Sequence, residues 1–190
     1  MSVTKLAEVR AEAMTCTRCG LASGRTQVVF GVGNPEADLM FIGEGPGRDE
    51  DIQGEPFVGR SGKLLDKLML QEIGIDRSKC YIANVVKCRP PNNRDPKPDE
   101  IEACRPWLET QLDLIHPTVV VTLGNFATRF LLDSTAGISK LRGRSYPYRD
   151  GFLVPTYHPA AALRGGAEIV AEMRADLIRA KTHLVERSLL

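Results

Sequence analysis

Short runs of apolar residues alternate along this chain with longer amphipathic segments. The runs at 38–42, 81–86, 118–123 and 152–157 predict strands, because each is apolar and ends at a turn rich in Gly, Pro or Asn. The third run, TVVVTL, is continuous and β-branched, which is typical of a parallel strand buried on both faces. Pro155 interrupts the fourth run and predicts a strand that lies at a sheet edge or ends there.

Helical periodicity fills the intervals between these strands. The pattern predicts helices at 3–14, 62–73, 99–114, 125–132 and 167–187. Ser61 is the expected N-cap of the second helix, Gly74 its end, and Pro106 the site of a kink in the third. Because strands and helices alternate four times, the sequence predicts an α/β fold with a mainly parallel sheet between helical layers. We expect one domain spanning residues 1–190.

Composition narrows the class of protein only slightly. The 190 residues include 43% hydrophobic and 26% charged residues, which are ordinary values for a globular chain. No apolar run is long enough for a membrane span and the N-terminus lacks a signal-peptide core, so we expect a cytoplasmic protein with no membrane partner. Net charge is +1, but segment 36–55 carries −6 and segment 138–165 carries +4. Such a basic strip beside an acidic loop can guide a phosphate backbone, although both segments also fit an ordinary solvated surface.

Five cysteines in a chain of this kind predict a metal or cluster site rather than disulfides. Cys16 and Cys19 form a C-x2-C pair, whereas Cys88 and Cys104 each begin the tripeptide Cys-Arg-Pro. A zinc ribbon needs a second close pair, while an iron–sulfur cluster tolerates wide ligand spacing. Spacing alone leaves a cluster, zinc and unligated thiols open. Cys80 begins an apolar strand and is expected to be a buried, inert thiol.

The stretch 38–65 concentrates the candidate chemistry. A buried strand empties there into Gly43-Glu44-Gly45-Pro46-Gly47, and ligands of open α/β sheets bind at the carboxyl ends of strands. The acids 49–51 that follow read as a loop at the rim, since consecutive side chains point apart and make a poor Mg²⁺ site. Asn84, a polar residue within an apolar strand, needs hydrogen-bond partners. His158 follows the last strand, where a simple His-Pro turn is the alternative.

Four ordered motifs give the chain a resemblance to the family 4 uracil-DNA glycosylases, the iron–sulfur branch of the uracil-DNA glycosylase superfamily. They are GEGPG at 43–47, PFVGRSGKLL at 56–65, HPAAALR at 158–164, and the cysteine set C-x2-C, KCRPP and ACRPWL. The resemblance covers roughly residues 10–185.

The resemblance implies a three-layer α/β/α sandwich around a central four-stranded parallel sheet. It also implies a [4Fe-4S] cluster on Cys16, Cys19, Cys88 and Cys104, which ties the N-terminal segment to the 88–104 region. The implied activity is hydrolysis of the N-glycosidic bond of deoxyuridine, without backbone cleavage, by a monomer acting on uracil-containing DNA, single- or double-stranded. A non-catalytic or covalent uracil-DNA-binding protein of the same superfamily is the alternative.

The resemblance further assigns roles to individual residues. Glu44 and His158 are the expected catalytic pair, acting on the water or sugar cation and on the developing oxyanion. Asn84 is expected to read the uracil edge and Phe57 to stack on the base, although Phe57 also fits a core position. The remaining expected contacts are Gly43 and Gly45 with the base, and Leu163, Arg164, Arg142 and Arg144 with DNA; Leu163 also fits a core contact.

Overall fold

A six-stranded sheet forms the centre of the computed structural model, which describes residues 2–190. Its strands are β1 (Val32–Gly33), β2 (Leu39–Gly43), β3 (Tyr81–Asn84), β4 (Val119–Leu123), β5 (Tyr146–Tyr148) and β6 (Gly151–Thr156). Their order is β1-β3-β2-β4-β6-β5, with four parallel strands in the middle and an antiparallel strand at each edge. The predicted parallel core is therefore confirmed, and the sheet has two additional short edge strands.

Within residues 2–190, seven helices surround the sheet. They are α1 (Ser2–Met14), α2 (Arg48–Gln53), α3 (Arg60–Leu68), α4 (Pro98–Ile115), α5 (Asn125–Leu132), α6 (Ile138–Leu141) and α7 (Pro159–Glu186). Helix α3 continues through a wider turn, Met69–Ile73, to the left-handed Gly74. Helix α7 is broken at Gly166, whose φ of 74° only glycine adopts easily, so residues 159–165 form a separate short helical segment.

Successive side chains of the central strands point to opposite faces of the sheet, which divides the core into two halves. Met40 and Ile42 of β2 face one half, which contains the buried side of α4 and packs against α1 and α5. Leu39 and Phe41 face the other half, which is filled by α3 and α7. Because β2 and β4 are buried at every position, they have no polar face, as expected for parallel strands covered by helices on both sides. The predicted α/β/α layering is confirmed.

Two local predictions were wrong. The N-cap of α3 is Gly59 rather than Ser61, because the helix begins at Arg60, two residues before the predicted start. The acidic segment forms α2 instead of an irregular loop. Glu50 accepts hydrogen bonds from the backbone of Gly47, Val58 and Gly59, while the buried Asp51 accepts one from Thr26. These two carboxylates therefore fix backbone rather than form a solvated rim.

Two proline predictions had mixed outcomes. Helix α4 runs without interruption through Pro106, so the predicted kink does not break it. Strand β6 lies one place inside the edge, but its partner β5 pairs only with Gly151–Leu153. Pro155 therefore lies beyond the reach of β5, where its missing N–H costs no ladder hydrogen bond. Among the described residues, no helix is long and apolar enough to cross a membrane.

Candidate active site

A cleft of about 720 Å³ opens at the carboxyl ends of the parallel strands. Each of the four parallel strands leads into its wall. The backbone pairing of β2 with β3 extends into the loops, since Val85 N–H donates to Gly43 and Val86 N–H to Glu44. The lining residues used below are Glu44, Gly45, Phe57, Asn84, Asp95, Gly124, Tyr157, His158 and Arg164.

Asn84 brings an unpaired acceptor to the floor of this cleft. Asn84 is only 1% exposed, and its Oδ1 has no hydrogen-bond partner among the described residues 2–190. A buried amide oxygen normally has a partner, so an orphaned one inside a cleft indicates a ligand donor. Gly43 makes this arrangement possible, because a Cβ there would lie 2.5 Å from both Asn84 Oδ1 and the Phe57 ring.

Phe57 forms a wall beside Asn84 and is held in an unusual backbone conformation. Its φ of 55° is uncommon for a residue with a bulky side chain. The guanidinium of Arg77 donates to the carbonyls of Pro56 and Phe57, and Gly62 lies so close that a Cβ would overlap the Phe57 carbonyl. Strain of this kind persists only where surrounding contacts determine it, and it is common at ligand sites. The ring is therefore fixed in advance.

His158 faces Phe57 with its ring centroid 5.6 Å away. The imidazole caps helix α7, since Nδ1 accepts a hydrogen bond of 3.1 Å from Ala160 N–H. Burial, with a smaller contribution from the positive Arg164, lowers the pKa of His158 to about 4. The ring is therefore neutral at pH 7, and because Nδ1 is an acceptor its proton resides on Nε2. His158 is a neutral hydrogen-bond donor.

Glu44 has the opposite electrostatic character. Burial, followed by the negative charge of Asp95, raises its pKa to about 7. A carboxyl group near this value exchanges protons readily at neutral pH, which suits a general base. Asp95 was missed in the sequence because the loop 91–97 has no regular pattern, and only the folded chain brings it beside Glu44.

The four predicted ligand cysteines converge at a second, small cavity. Cys88 and Cys104 are buried, Cys16 and Cys19 are half-buried, and all four line the cavity wall. Three N–H groups point at the sulfurs: Lys87 N to Cys104 at 3.2 Å, Trp107 Nε1 to Cys16 at 3.4 Å, and Arg25 Nη1 to Cys88 at 3.5 Å. Burial raises the pKa of the Cys104 thiol to about 11.

The four thiols are donors that suit either a structural zinc or an iron–sulfur cluster. Within residues 2–190, no three His, Cys, Asp or Glu side chains are placed to hold one metal ion. Cys80 lies elsewhere, fully buried against Met69, and burial raises its pKa to about 12; its predicted inert role is consistent with this.

The predicted DNA-contacting residues fall into two groups. Leu163 is 50% exposed, Arg164 lines the cleft and Arg144 is exposed. Arg142, by contrast, is paired through both edges of its guanidinium: it donates to both carboxylate oxygens of Asp176 and to Glu172. A phosphate contact would compete with that pairing, and the DNA contact of Arg142 stays a prediction. The sequence could not reveal this pairing, because the partners are 30 and 34 residues away.

Arg142 yields a prediction about stability. Asp176 is 0% exposed, so Arg142→Gln leaves a buried carboxylate without its main partner and should lower the free energy of unfolding by about 3–5 kcal/mol. Thermal denaturation measures this loss. The double variant Arg142→Met/Asp176→Leu removes both charges and should recover most of the stability; a double variant as unstable as the single one would contradict the prediction.

The geometry of the cleft indicates the class of protein. A parallel α/β sheet presents a fixed aromatic ring, an unpaired amide oxygen, a neutral imidazole donor and a carboxyl group of raised pKa in one cleft. These are the elements of an enzyme site for a flat, polar ring.

Comparisons with known proteins give the family. The sequence-family model described as the uracil DNA glycosylase superfamily matches residues 30–180 of this chain. Type-4 uracil-DNA glycosylases of Sulfurisphaera tokodaii and Archaeoglobus fulgidus are each 46% identical over 166 residues, which is 83% of this chain and 76% and 83% of theirs. That of Saccharolobus solfataricus is 47% identical over 160 residues, 80% of this chain and 74% of its own. The chain belongs to the uracil-DNA glycosylase superfamily and, within it, to the type-4 family.

Proposed function

We propose that this protein is a monofunctional uracil-DNA glycosylase, which hydrolyses the N-glycosidic bond of deoxyuridine in DNA and leaves an abasic site. The observation that carries the proposal is the orphaned Oδ1 of Asn84, a residue that lines the cleft together with Phe57 and His158. Uracil N3–H would supply the hydrogen bond that Asn84 Oδ1 lacks. The Asn84 amide N–H can donate to uracil O4, and cytosine offers the reverse pattern on both atoms.

The target base enters the cleft after it leaves the DNA stack, at a cost of roughly a few kcal/mol. Stacking on Phe57 offsets part of that cost, and the ring needs no rearrangement because its loop is already fixed. Leu163, which is exposed, would fill the gap in the duplex, and Arg164 and Arg144 would contact phosphates.

Bond cleavage sends an electron pair from the C1′–N1 bond onto the leaving uracil, where it spreads to O2. His158 Nε2–H and the backbone N–H of Gly45 would stabilise this anion. A neutral imidazole suits that role: the low pKa of His158 leaves the ring uncharged at pH 7, and a neutral imidazole donates a hydrogen bond without giving up its proton. Glu44 in its ionised form would stabilise the sugar cation and take the proton of the attacking water, whose oxygen becomes the new substituent on C1′.

A [4Fe-4S] cluster on Cys16, Cys19, Cys88 and Cys104 is the second part of the proposal. Its support is the convergence of four thiols around one cavity, three N–H groups directed at the sulfurs, and the lack of the second close Cys pair that a zinc ribbon needs. When bound, the cluster would serve as a structural cross-link between the N-terminal segment and α4. The reaction needs no electron from it.

The alternative reading, a covalent uracil-DNA-binding protein, requires a nucleophile near the sugar. The segment between Cys88 and Cys104 contains no His, and His158 Nδ1 is already engaged by the helix that it caps. A non-catalytic binding protein would not need a carboxyl group poised near pH 7. Both observations favour hydrolysis.

We also propose that the enzyme acts as a monomer in the cytoplasm, where DNA is accessible and thiols stay reduced.

The proposal is tested with an oligonucleotide that contains one uracil, supplied as a single strand and as a duplex. Incubation followed by alkali should give strand scission at the uracil position, while incubation without alkali should leave the strand intact. The same oligonucleotide with cytosine or thymine is the control. Intact uracil strands after alkali, from a folded sample, would reject the enzyme, and a stable protein–DNA adduct would support covalent capture instead.

The cluster gives a prediction of its own. Purified protein should be brown, with broad visible absorbance and equal amounts of iron and acid-labile sulfide. Cys104→Ser should lose most of both and destabilise the protein, whereas Cys80→Ser should keep them, since Cys80 lies outside the cysteine cavity. Elemental analysis decides the matter: stoichiometric zinc in a colourless preparation would overturn the cluster.

A further inference from the structure

A fully buried lysine lies between the two sites and has no part in the chemistry described above. Lys87 is 1% exposed, and its ammonium donates to the backbone carbonyl of Asn84 at 2.8 Å and to Gln111 Oε1 at 2.5 Å. Both acceptors are neutral oxygens. Burial of a lysine is costly, and neutral acceptors repay little of that cost, so the residue calls for a specific explanation.

The backbone of Lys87 is fixed as firmly as its side chain. Its N–H donates to Cys104 Sγ at 3.2 Å, and its carbonyl accepts from Val29 N–H at 2.8 Å. One residue therefore contacts the sulfur of a cysteine on one side and the last residue of β3 on the other.

Gln111 extends the connection to the opposite side. Its Nε2 donates to the carbonyl of Phe30 at 2.8 Å and lies 3.4 Å from the Tyr81 hydroxyl, so its orientation is set by the start of β3 and by the strand-like segment before β1. Gln111 is itself 0% exposed. The buried polar chain runs from Gln111 through Lys87 to the carbonyl of Asn84.

This chain ends at the residue whose side chain has an unpaired acceptor. The Asn84 carboxamide has no protein hydrogen bond on Oδ1, so its direction depends on the backbone that carries it and on packing against Gly43. We propose that Lys87 is a positioning residue: by holding the Asn84 carbonyl against Gln111, it fixes the angle at which the carboxamide meets the base. The inference rests on the proposed function, since it assumes that Asn84 reads uracil.

A double-mutant cycle tests the proposal with the whole protein. Lys87→Met should lower kcat/KM for uracil release by about 10- to 100-fold, the usual range for a group that orients another. In an Asn84→Ala background the same substitution should cost less than about threefold, because the group that Lys87 orients is already gone. Equal losses in both backgrounds, or no loss in the first, would overturn the proposal.

Two further variants separate positioning from general destabilisation. Gln111→Leu removes the acceptor of the ammonium while leaving the Lys87 N–H on Cys104, and it should repeat the non-additive loss at unchanged iron content. Thr118→Val breaks a half-buried hydrogen bond to Asp38 at the opposite end of the sheet and should leave kcat/KM unchanged. If Gln111→Leu lost no more activity than Thr118→Val, Lys87 would have only a structural role.

A measurement that needs no activity keeps this inference distinct from the proposed function. The side-chain amide resonance of Asn84 should shift in Lys87→Met and in Gln111→Leu, and stay in place in Thr118→Val. If the unsubstituted protein released no uracil, the proposed function would fail, while this amide shift would still decide whether Lys87 positions Asn84. An unmoved resonance in both variants would overturn the positioning role.

Discussion

Glu44→Gln is expected to reduce the rate of uracil release by about 10²- to 10⁴-fold, the usual contribution of a general base. Glutamine keeps the size and polarity of the side chain but cannot accept a proton. As the proposed general base, Glu44 would act only in its ionised form, so the rate of the unsubstituted protein should fall as the pH drops below about 7. The residual rate of Glu44→Gln should be flat across that range. Single-turnover rates from pH 5 to 9 measure both effects.

Two neighbouring acids serve as controls for this profile. Asp95→Asn removes the negative charge that helps to raise the pKa of Glu44, so the midpoint of the pH profile should move to lower pH. Asp49→Asn removes an exposed acid of α2 and should leave both the rate and the midpoint unchanged. A profile whose midpoint persists in Glu44→Gln would assign the titration to another group.

Glu44→Gln should also make the protein more stable at high pH. Glu44 has a pKa of about 7 in the folded chain and 4.5 as its reference value, so stability falls as the pH rises from 4.5 to 7 and stays reduced above 7. Glutamine removes that penalty. Since the group is only partly buried, we expect a gain of about 1–2 kcal/mol at pH 8, a rise in Tm of roughly 2–8 °C, and no gain at pH 4.

Asn84→Asp should have the second large effect, on the choice of base. A carboxylate offers no donor to uracil O4 but accepts from the amino group of cytosine. The preference for uracil over cytosine should therefore fall by at least about 100-fold, mostly through slower uracil release. Competition between uracil- and cytosine-containing oligonucleotides measures the ratio.

Asn93→Asp is the matched control for this change. Asn93 also lines the cleft, but it is exposed and its Oδ1 accepts from Arg89. The substitution therefore adds the same charge without altering the floor of the pocket, and the preference should be unchanged. If both variants lost the preference equally, added charge rather than base reading would explain the effect.

Much of the fold could be predicted because each central strand is marked by a short, continuous stretch of sequence. The runs that became β2, β3, β4 and β6 are apolar at nearly every position, and glycines or prolines mark their ends. The edge strands were missed for a physical reason: Val32–Gly33 is two residues long, and Tyr146–Tyr148 contains a proline within a basic segment. Their pairing is a property of the sheet that they join.

Some properties of the site could likewise be predicted from the sequence, and others could not. Glu44, Asn84 and His158 could be selected because a polar residue at the end of an apolar strand is conspicuous. The raised pKa of Glu44, the lowered pKa of His158 and the pairing of Arg142 depend on groups distant in sequence. Lys87 gave no signal at all, since a lysine after an apolar run normally reaches solvent.

Trp107 is the only tryptophan in the chain, and it lies against the cysteine cavity with its Nε1–H directed at Cys16. The tryptophan fluorescence of this protein therefore originates beside the cysteine cavity, while the aromatic residues of the cleft, Phe57 and Tyr157, contribute little to it. The emission of Trp107 would thus give a built-in optical readout of the loss or replacement of the proposed cluster, separate from events in the cleft.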